Sequence, residues 1–164
     1  MHAPRSLGAY GVTLVLGLFG VSGLIQKCAP PSVSAPIDIS FECKDLVNVA
    51  RAEAGLAPVE VSGELNLAAE GHSTDQAQRQ TLTHKGSNGS SAGKRMSRQG
   101  YAWSTWGENV GAGQADCPTV VAAWLNSPGH RENILNPVMV HIGVGAVAAT
   151  DGTIYWTMDL AAPR

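Results

Sequence analysis

The sequence predicts an α+β domain in which helices pack against an antiparallel sheet. Before residue 126 the chain carries helical stretches, with apolar residues repeating at a spacing of three or four. Two stretches of alternating apolar residues, 142–148 and 154–160, follow near the C-terminus. They are joined by Asp151-Gly152, a dipeptide typical of hairpin turns. Helices first and strands last do not give the βαβ alternation of a parallel sheet, so we expect an antiparallel one.

The helices can be placed from their end signals. Residues 28–39 contain three prolines and are interpreted as a Pro/Ser-rich linker, so the domain is expected over 40–164. The spacing of apolar residues predicts a first helix over 41–54. A second helix is expected from its N-cap, Ser62, to about Gln80.

The middle of the chain is irregular and rich in small residues. Gly, Ser and Asn dominate residues 85–93, which predicts a surface loop. We expect a short helix over 94–99, an extended segment over 103–114, and a further helix with Pro118 in its first turn. Pro128-Gly129 is expected to end that helix.

The N-terminal segment, 1–27, has the pattern of an export signal. Arg5 precedes an uncharged, apolar-rich run that ends at Lys27. The run only just reaches the roughly 20 residues that span a bilayer, so a cleaved signal peptide and an uncleaved membrane anchor both stay open. We expect the protein outside the cytoplasm: secreted, periplasmic or anchored at the cell envelope. It would contact a membrane only through this segment.

Charge and cysteine content narrow the possible partners and compartments. Removing residues 1–27 takes away two of the 11 Lys and Arg residues and none of the 13 Asp and Glu residues. The remaining chain has a net negative charge, which argues against nucleic acid as a partner. Cys43 and Cys117 are the favoured disulfide pair, because each stands at the start of a predicted helix whereas Cys28 lies in the linker. Free thiols are the open alternative.

Three side chains at breaks in regular structure are the candidates for chemistry: His84, Glu108 and His130. A carboxylate that faces two imidazoles can hold a divalent cation or share protons near neutral pH. The separations of 24 and 22 residues match no short metal-binding motif, so a purely structural hydrogen-bond network is the alternative. His72, on the second helix, is expected to be an ordinary core residue.

Several segments, taken in order, resemble a known family. They are Asn48-Val49-Ala50-Arg51, Leu65 to Ser73, Gly107-Glu108-Asn109-Val110, Trp124 to Leu135, Ile142-Gly143-Val144-Gly145 and Tyr155-Trp156-Thr157. From about Cys43 to Leu160 the chain resembles the CAP superfamily of cysteine-rich secretory, antigen 5 and pathogenesis-related proteins, in its bacterial SCP-like extracellular branch.

The resemblance implies a three-layer α-β-α sandwich with a central antiparallel sheet and a polar cleft. His84, Glu108 and His130 match the family's cleft residues, and the family's clefts can bind zinc or magnesium. The family's second acid falls on Ser127, which cannot supply a negative charge. The resemblance therefore implies a cleft of His84, Glu108, His130 and Ser127, with the first three as tentative ligands of Zn or Mg.

Three functions are compatible with such a cleft. We expect a secreted binding module for a small apolar or envelope-derived ligand, which needs no catalytic machinery. A metal-dependent, peptidase-like hydrolase that uses the same cleft is the first alternative. The second is a structural envelope protein.

Overall fold

The computed structural model describes residues 36–164, and the predicted export segment lies outside the described residues. The helices are α1 (Pro36–Glu53), α2 (Gly63–Arg79), α3 (Ala92–Arg98), α4 (Cys117–Leu125) and α5 (Pro128–Ile134). The strands are β1 (Glu60–Val61), β2 (Trp103–Ala112), β3 (His141–Ala148) and β4 (Ile154–Pro163). Within residues 36–164, no helix combines the length and the apolar character that a membrane span requires.

The four strands form one sheet in the order β1-β3-β4-β2. The pairs β3/β4 and β4/β2 are antiparallel, which confirms the predicted α+β class and sheet type. The two-residue strand β1 adds a short parallel pairing with β3. In this register Asp159 on β4 lies between Glu108 on β2 and Gly143 on β3.

Helices cover both faces of the sheet, so the chain forms the expected α-β-α sandwich. On one face α1, α4 and α5 pack on alternate residues of β3 and β4, and this core includes Val47, Val120, Trp124, Ile134, Val144, Trp156, Met158 and Leu160. On the other face α2 and α3 pack over a smaller core that includes Leu65, Ala68, Met96 and Ala161. Asp159 and Thr157 alternate with the large apolar residues of β4 and therefore face α2.

Helix α2 has the clearest local code and lies very close to the sheet. The hydroxyl of Ser62 accepts a hydrogen bond from the backbone N–H of Leu65, so Ser62 is the N-cap as predicted. Gln80 ends the helix in the left-handed conformation, with φ of 48°. A side chain at Gly143 or Gly145 of β3 would collide with the backbone of α2, so only glycine permits this approach.

Three element boundaries differ from the expectations. Helix α1 begins at Pro36, so it includes the last residues of the segment interpreted as linker. Pro128 follows the end of α4, as expected, but it also begins a separate helix, α5, because proline suits the first turn of a helix. Helix α3 begins at Ala92, two residues before the expected start, with Ser91 as its N-cap.

The disulfide between Cys43 and Cys117 is confirmed. It joins α1 to α4 across a sequence separation of 74 residues, and both cysteines are buried in the larger core.

Candidate functional site

The Glu108 carboxylate is the centre of the candidate site. Its side chain is only 2% exposed, and it faces the α2 and α3 side of the edge strand β2. The Nδ1 atom of His84 donates a hydrogen bond of 2.8 Å to Oε1, and the Nη2 atom of Arg95 donates to Oε2. Both carboxylate oxygens are therefore engaged by side chains that surround them.

His84 lies in the loop after α2 and exposes 60% of its side chain. Its hydrogen bond to Glu108 raises the pKa of the imidazole above its ordinary value, against the lowering effect of partial burial. With Nδ1 held by the carboxylate, the ring has a fixed orientation and its Nε2 edge is the part available to a ligand. A carboxylate that orients a histidine in this way is common at functional sites.

Arg95 of α3 connects the loop to the strand. Its Nη1 atom donates to the backbone oxygens of His84, at 3.2 Å, and Ser90, at 3.1 Å, while its Nη2 atom donates to Glu108. Arg95 was not predicted from the sequence, because a basic residue between Lys94 and Met96 in a short helix is typical of a solvent-facing position. The available signal was that a buried Glu108 requires a positively charged partner.

His72 of α2 lies behind this pair and is buried, as expected for a core histidine. Its Nε2 atom donates to the backbone oxygen of Thr83 at 2.7 Å and is 4.0 Å from Oε2 of Glu108. Burial, followed by the positive charge of Arg95, lowers the pKa of His72. The imidazole is therefore neutral at pH 7, with Nδ1 as an acceptor.

Asp159 is a second residue that was not predicted from the sequence. It is fully buried next to Glu108 in the sheet, and neither carboxylate oxygen has a hydrogen-bond partner among the described residues. Burial and the neighbouring charge of Glu108 raise its pKa well above the ordinary value, although Arg95 acts in the opposite direction. The signal in the sequence was an acidic residue at a core-facing position of a strand that is otherwise apolar.

His130 lies on α5 and is hydrogen-bonded elsewhere. Its Nδ1 atom and the hydroxyl of Ser127 share a hydrogen bond of 3.0 Å, and its backbone oxygen accepts from Asn109. Partial burial and the charge of His84 lower the pKa of His130. The structure thus brings Glu108 and His84 into direct contact and places His130 within the electrostatic field of His84. A joint ligand role for all three, with Ser127, stays a prediction.

An open cleft of about 310 Å³ lies beside His84 and Glu108, and neither His130 nor Ser127 is among its lining residues. Its polar wall contains His84, Glu108, Ser91 and Asn133, and its apolar wall contains Trp106, Ala92 and Gly107. Trp106 is 36% exposed, which is high for so large an apolar side chain. The cleft therefore combines an imidazole edge with an accessible indole.

Two observations speak against a three-ligand metal centre of His84, Glu108 and His130 in this arrangement. Glu108 uses its two oxygens on His84 and Arg95, and the guanidinium brings a positive charge to the carboxylate. Among residues 36–164, no group of three or more His, Cys, Asp or Glu side chains is placed to hold a metal ion. Protein zinc sites use at least three such ligands, so we derive no step through a bound metal.

The fold and the site define the class of protein. The sequence profile of the cysteine-rich secretory protein family, CAP, matches residues 44–160. The chain belongs to this family.

Relatives and solved structures agree with this assignment. The protein YkwD of Bacillus subtilis (strain 168) is 40% identical over 133 residues, which cover 80% of this chain and 49% of YkwD. An extracellular protein from Bacillus anthracis that contains an SCP domain has a crystal structure with 27% identity and a TM-score of 0.69, covering 77% of this chain and 41% of that one. An outer surface protein from Borrelia burgdorferi shares the fold, with 22% identity, a TM-score of 0.70, and coverage of 76% of this chain and 92% of that one. The chain spans about half the length of YkwD.

Proposed function

We propose that this chain is an extracytoplasmic binding module whose cleft takes a small ligand with an apolar face. The observation that carries the proposal is the state of Glu108, whose two oxygens are both engaged by His84 and Arg95. A carboxylate held in this way fixes the imidazole and is not free to act as a base on a substrate. The imidazole lies in one cleft with the exposed indole of Trp106, an apolar surface suited to binding, and this favours a binding module.

The cleft walls indicate the chemistry of the ligand. The indole of Trp106 offers a flat apolar surface, and Ala92 and Gly107 beside it add no charge. The polar wall offers the free edge of His84, which can donate to a carboxylate or hydroxyl oxygen. A fatty acid or a similar envelope-derived molecule with one polar end has this combination.

A fluorescent fatty acid titrated into the purified protein tests the proposal. We expect saturable binding that is weakened about tenfold or more by Trp106→Ala, because the stacking surface is lost. His84→Ala should weaken binding as well. Leu82→Ala is the matched control, since Leu82 is exposed but is not part of the cleft wall. Equal binding by the wild type and both cleft variants would refute the proposal.

The metal-dependent alternative has its own test. Calorimetric titration with zinc would favour a hydrolase if it gave sub-micromolar binding that His84→Ala and His130→Ala abolish. We expect no binding of that strength, because Arg95 occupies one side of the Glu108 carboxylate. Magnesium, titrated in the same way, tests the second candidate ion.

Three observations support a location outside the cytoplasm. The N-terminal segment has the pattern of an export signal. The Cys43–Cys117 disulfide is typical of oxidising compartments. Two proteins of the same fold are described as extracellular and as an outer surface protein. Cell fractionation, with labelling by a thiol reagent before and after reduction, would test this; a reduced protein in the cytoplasmic fraction would contradict it.

A further inference from the structure

The cleft beside His84 lies along the free edge of the sheet. Strand β2 is the last strand in the order β1-β3-β4-β2, so one of its sides has no neighbouring strand. Gly107 lines the cleft and has no side chain, so its part of the wall is backbone. Glu108 is 6% exposed as a whole residue but only 2% exposed in its side chain, so most of its accessible surface is backbone as well. The cleft is therefore walled in part by the edge of a strand.

The direction of the backbone groups along β2 follows from alternation. Beyond the register shift near the start of the strand, successive residues direct their N–H and C=O groups to opposite sides. The carbonyls of Glu108 and Val110 accept from side chains outside the sheet, the amide of Asn133 and the indole of Trp124. The even-numbered residues thus point away from β4, and Trp106 belongs to the same set.

Three of the outward backbone groups beside the cleft have no hydrogen-bond partner within residues 36–164. They are the N–H and C=O of Trp106 and the N–H of Glu108. Proteins usually cover such groups on an edge strand, as Asn133 and Trp124 do further along β2. An edge that is left open beside a cleft can pair with an extended peptide, which joins the sheet as an added strand.

The polar wall of the cleft favours one end of such a peptide. The charge of Arg95 offsets that of Glu108, and no other acidic side chain lines the cleft in the part of the chain that the structure describes. His84 and Ser91 lie in the same wall as the free N–H of Glu108, and all three can donate to an anion. The open edge also stops here, because Asn133 covers the carbonyl of Glu108. The peptide end that fits is a carboxylate.

We propose that the cleft binds the C-terminal end of an extended peptide, which adds a short parallel strand to the free edge of β2. The parallel direction follows because the carboxylate lies at the Glu108 end of the open edge. This inference rests on the proposed binding function and specifies the class of ligand.

The pairing uses each of the free backbone groups. The N–H of Trp106 would donate to the carbonyl of the third residue from the peptide's end, and its C=O would accept from the N–H of the last residue. The terminal carboxylate would accept from the N–H of Glu108, with His84 and Ser91 as further donors. The penultimate side chain then lies on the same face as the indole of Trp106, so an apolar residue is expected at that position.

Four tripeptides test the proposal by calorimetric titration of the purified protein. Acetyl-Ala-Phe-Ala with a free carboxylate should bind saturably, in the millimolar range or tighter. Its C-terminal amide should bind about tenfold more weakly or worse, because the charge-assisted hydrogen bonds are lost. Methylation of the last peptide nitrogen removes the donor to Trp106 and should weaken binding about fivefold or more. Acetyl-Phe-Ala-Ala has the same composition and charge, but its phenyl ring lies on the opposite face, so it should bind about fivefold more weakly.

Amide hydrogen exchange followed by NMR tests the location. Saturating acetyl-Ala-Phe-Ala should slow exchange at the N–H groups of Trp106 and Glu108, because both become hydrogen-bonded. The N–H of Val110 is the control, since it points to the same side but Val110 does not line the cleft. Trp106→Ala should weaken binding of this peptide about tenfold, whereas Leu82→Ala, away from the cleft, should leave it unchanged.

Four results would overturn the proposal. They are equal binding of the acid and the amide, equal binding of the N-methylated peptide, equal binding of the two peptide orders, or unchanged exchange at Trp106 and Glu108 in the saturated complex. Fatty-acid binding without peptide binding would refute strand addition and leave the proposed function intact. Absence of both would refute the binding function itself.

Discussion

Asp159 is the place where the structure predicts that a single substitution will stabilise the protein. Its carboxyl group is fully buried and lacks hydrogen-bond partners among the described residues. Burial, followed by the charge of Glu108, raises its pKa well above the ordinary value. Folding therefore either holds a proton on Asp159 or buries a second negative charge near Glu108, and both cost free energy at neutral pH.

Asp159→Asn keeps the size of the side chain and removes its ionisation. Each pKa unit by which folding raises a carboxyl group costs about 1.4 kcal/mol at a pH above both pKa values. The amide that replaces the carboxyl group is also polar and buried without a partner, so the cost of that lack remains and only the cost linked to ionisation is removed. We expect the variant to gain on the order of 1–3 kcal/mol in free energy of unfolding at pH 7 from this removal.

The pH dependence of this gain gives the sharper test. The folded-state pKa of Asp159 exceeds the unfolded value of about 3.9, so the wild type loses stability as pH rises from there through the folded-state pKa. As pH falls below about 4 the carboxyl group becomes protonated in both states, and the pH-dependent part of the difference between wild type and variant should vanish. Urea denaturation followed by circular dichroism from about pH 4 to about pH 8 measures it.

Asp151→Asn is the control for this experiment. Asp151 is exposed in the hairpin turn, and its hydrogen bonds with Thr153 lower its pKa, so its substitution should act in the opposite direction. The reasoning is refuted if Asp159→Asn is less stable than the wild type at pH 7, or if its effect does not change with pH.

Three further predictions follow from the same structure. Glu108→Gln removes the counter-charge that the buried Arg95 contacts directly, so the free energy of unfolding should fall by about 3 kcal/mol in urea denaturation. In an NMR titration of the same variant the pKa of His84 should drop from its raised value, and an unchanged pKa would contradict the assigned hydrogen bond. Cys43→Ser removes a disulfide that spans 74 residues and should lower the free energy of unfolding by up to about 4 kcal/mol. The wild type after reduction is the control and should show the same loss. Gly145→Ala drives a Cβ into the backbone of α2 at Glu70 and should cost about 1–3 kcal/mol by thermal denaturation, whereas Gly63→Ala, where no atom lies within 4 Å, should not destabilise.

The parts of the fold that could be predicted are those whose boundaries are set by residues close together in the sequence, such as helix caps and turn residues. Helix α2 was placed to within a residue because Ser62 caps it and its apolar stripe is regular. The hairpin of β3 and β4 was predicted from alternation and the Asp151-Gly152 turn. Strand β1 has no such code: its two residues are extended because they pair with His141 and Ile142, which come much later in the chain.

The candidate site was likewise predicted only in part. His84 and Glu108 were identified and do meet. His84 stands in a loop, as expected, whereas Glu108 lies within strand β2, so the expectation that it marks a break in regular structure was wrong. Arg95 and Asp159 were missed because their roles come from tertiary placement: a short amphipathic helix turns one inward, and strand alternation turns the other toward α2. Neither position carries a motif that shows this in advance.

The arrangement around Glu108 decides what the cleft can offer a ligand. Burying one carboxylate is costly, and Arg95 offsets that cost while His84 uses the remaining oxygen. The acid is thereby directed inward, and the surface that faces the cleft consists of an imidazole edge and the exposed indole of Trp106. Glu108 is the only carboxylate among the described residues that line the cleft, so the cleft contains no carboxylate free of a partner among the residues that the structure describes. Recognition by this domain should therefore depend on His84 and Trp106, and a partner that needs a free carboxylate, such as a hard cation, is disfavoured.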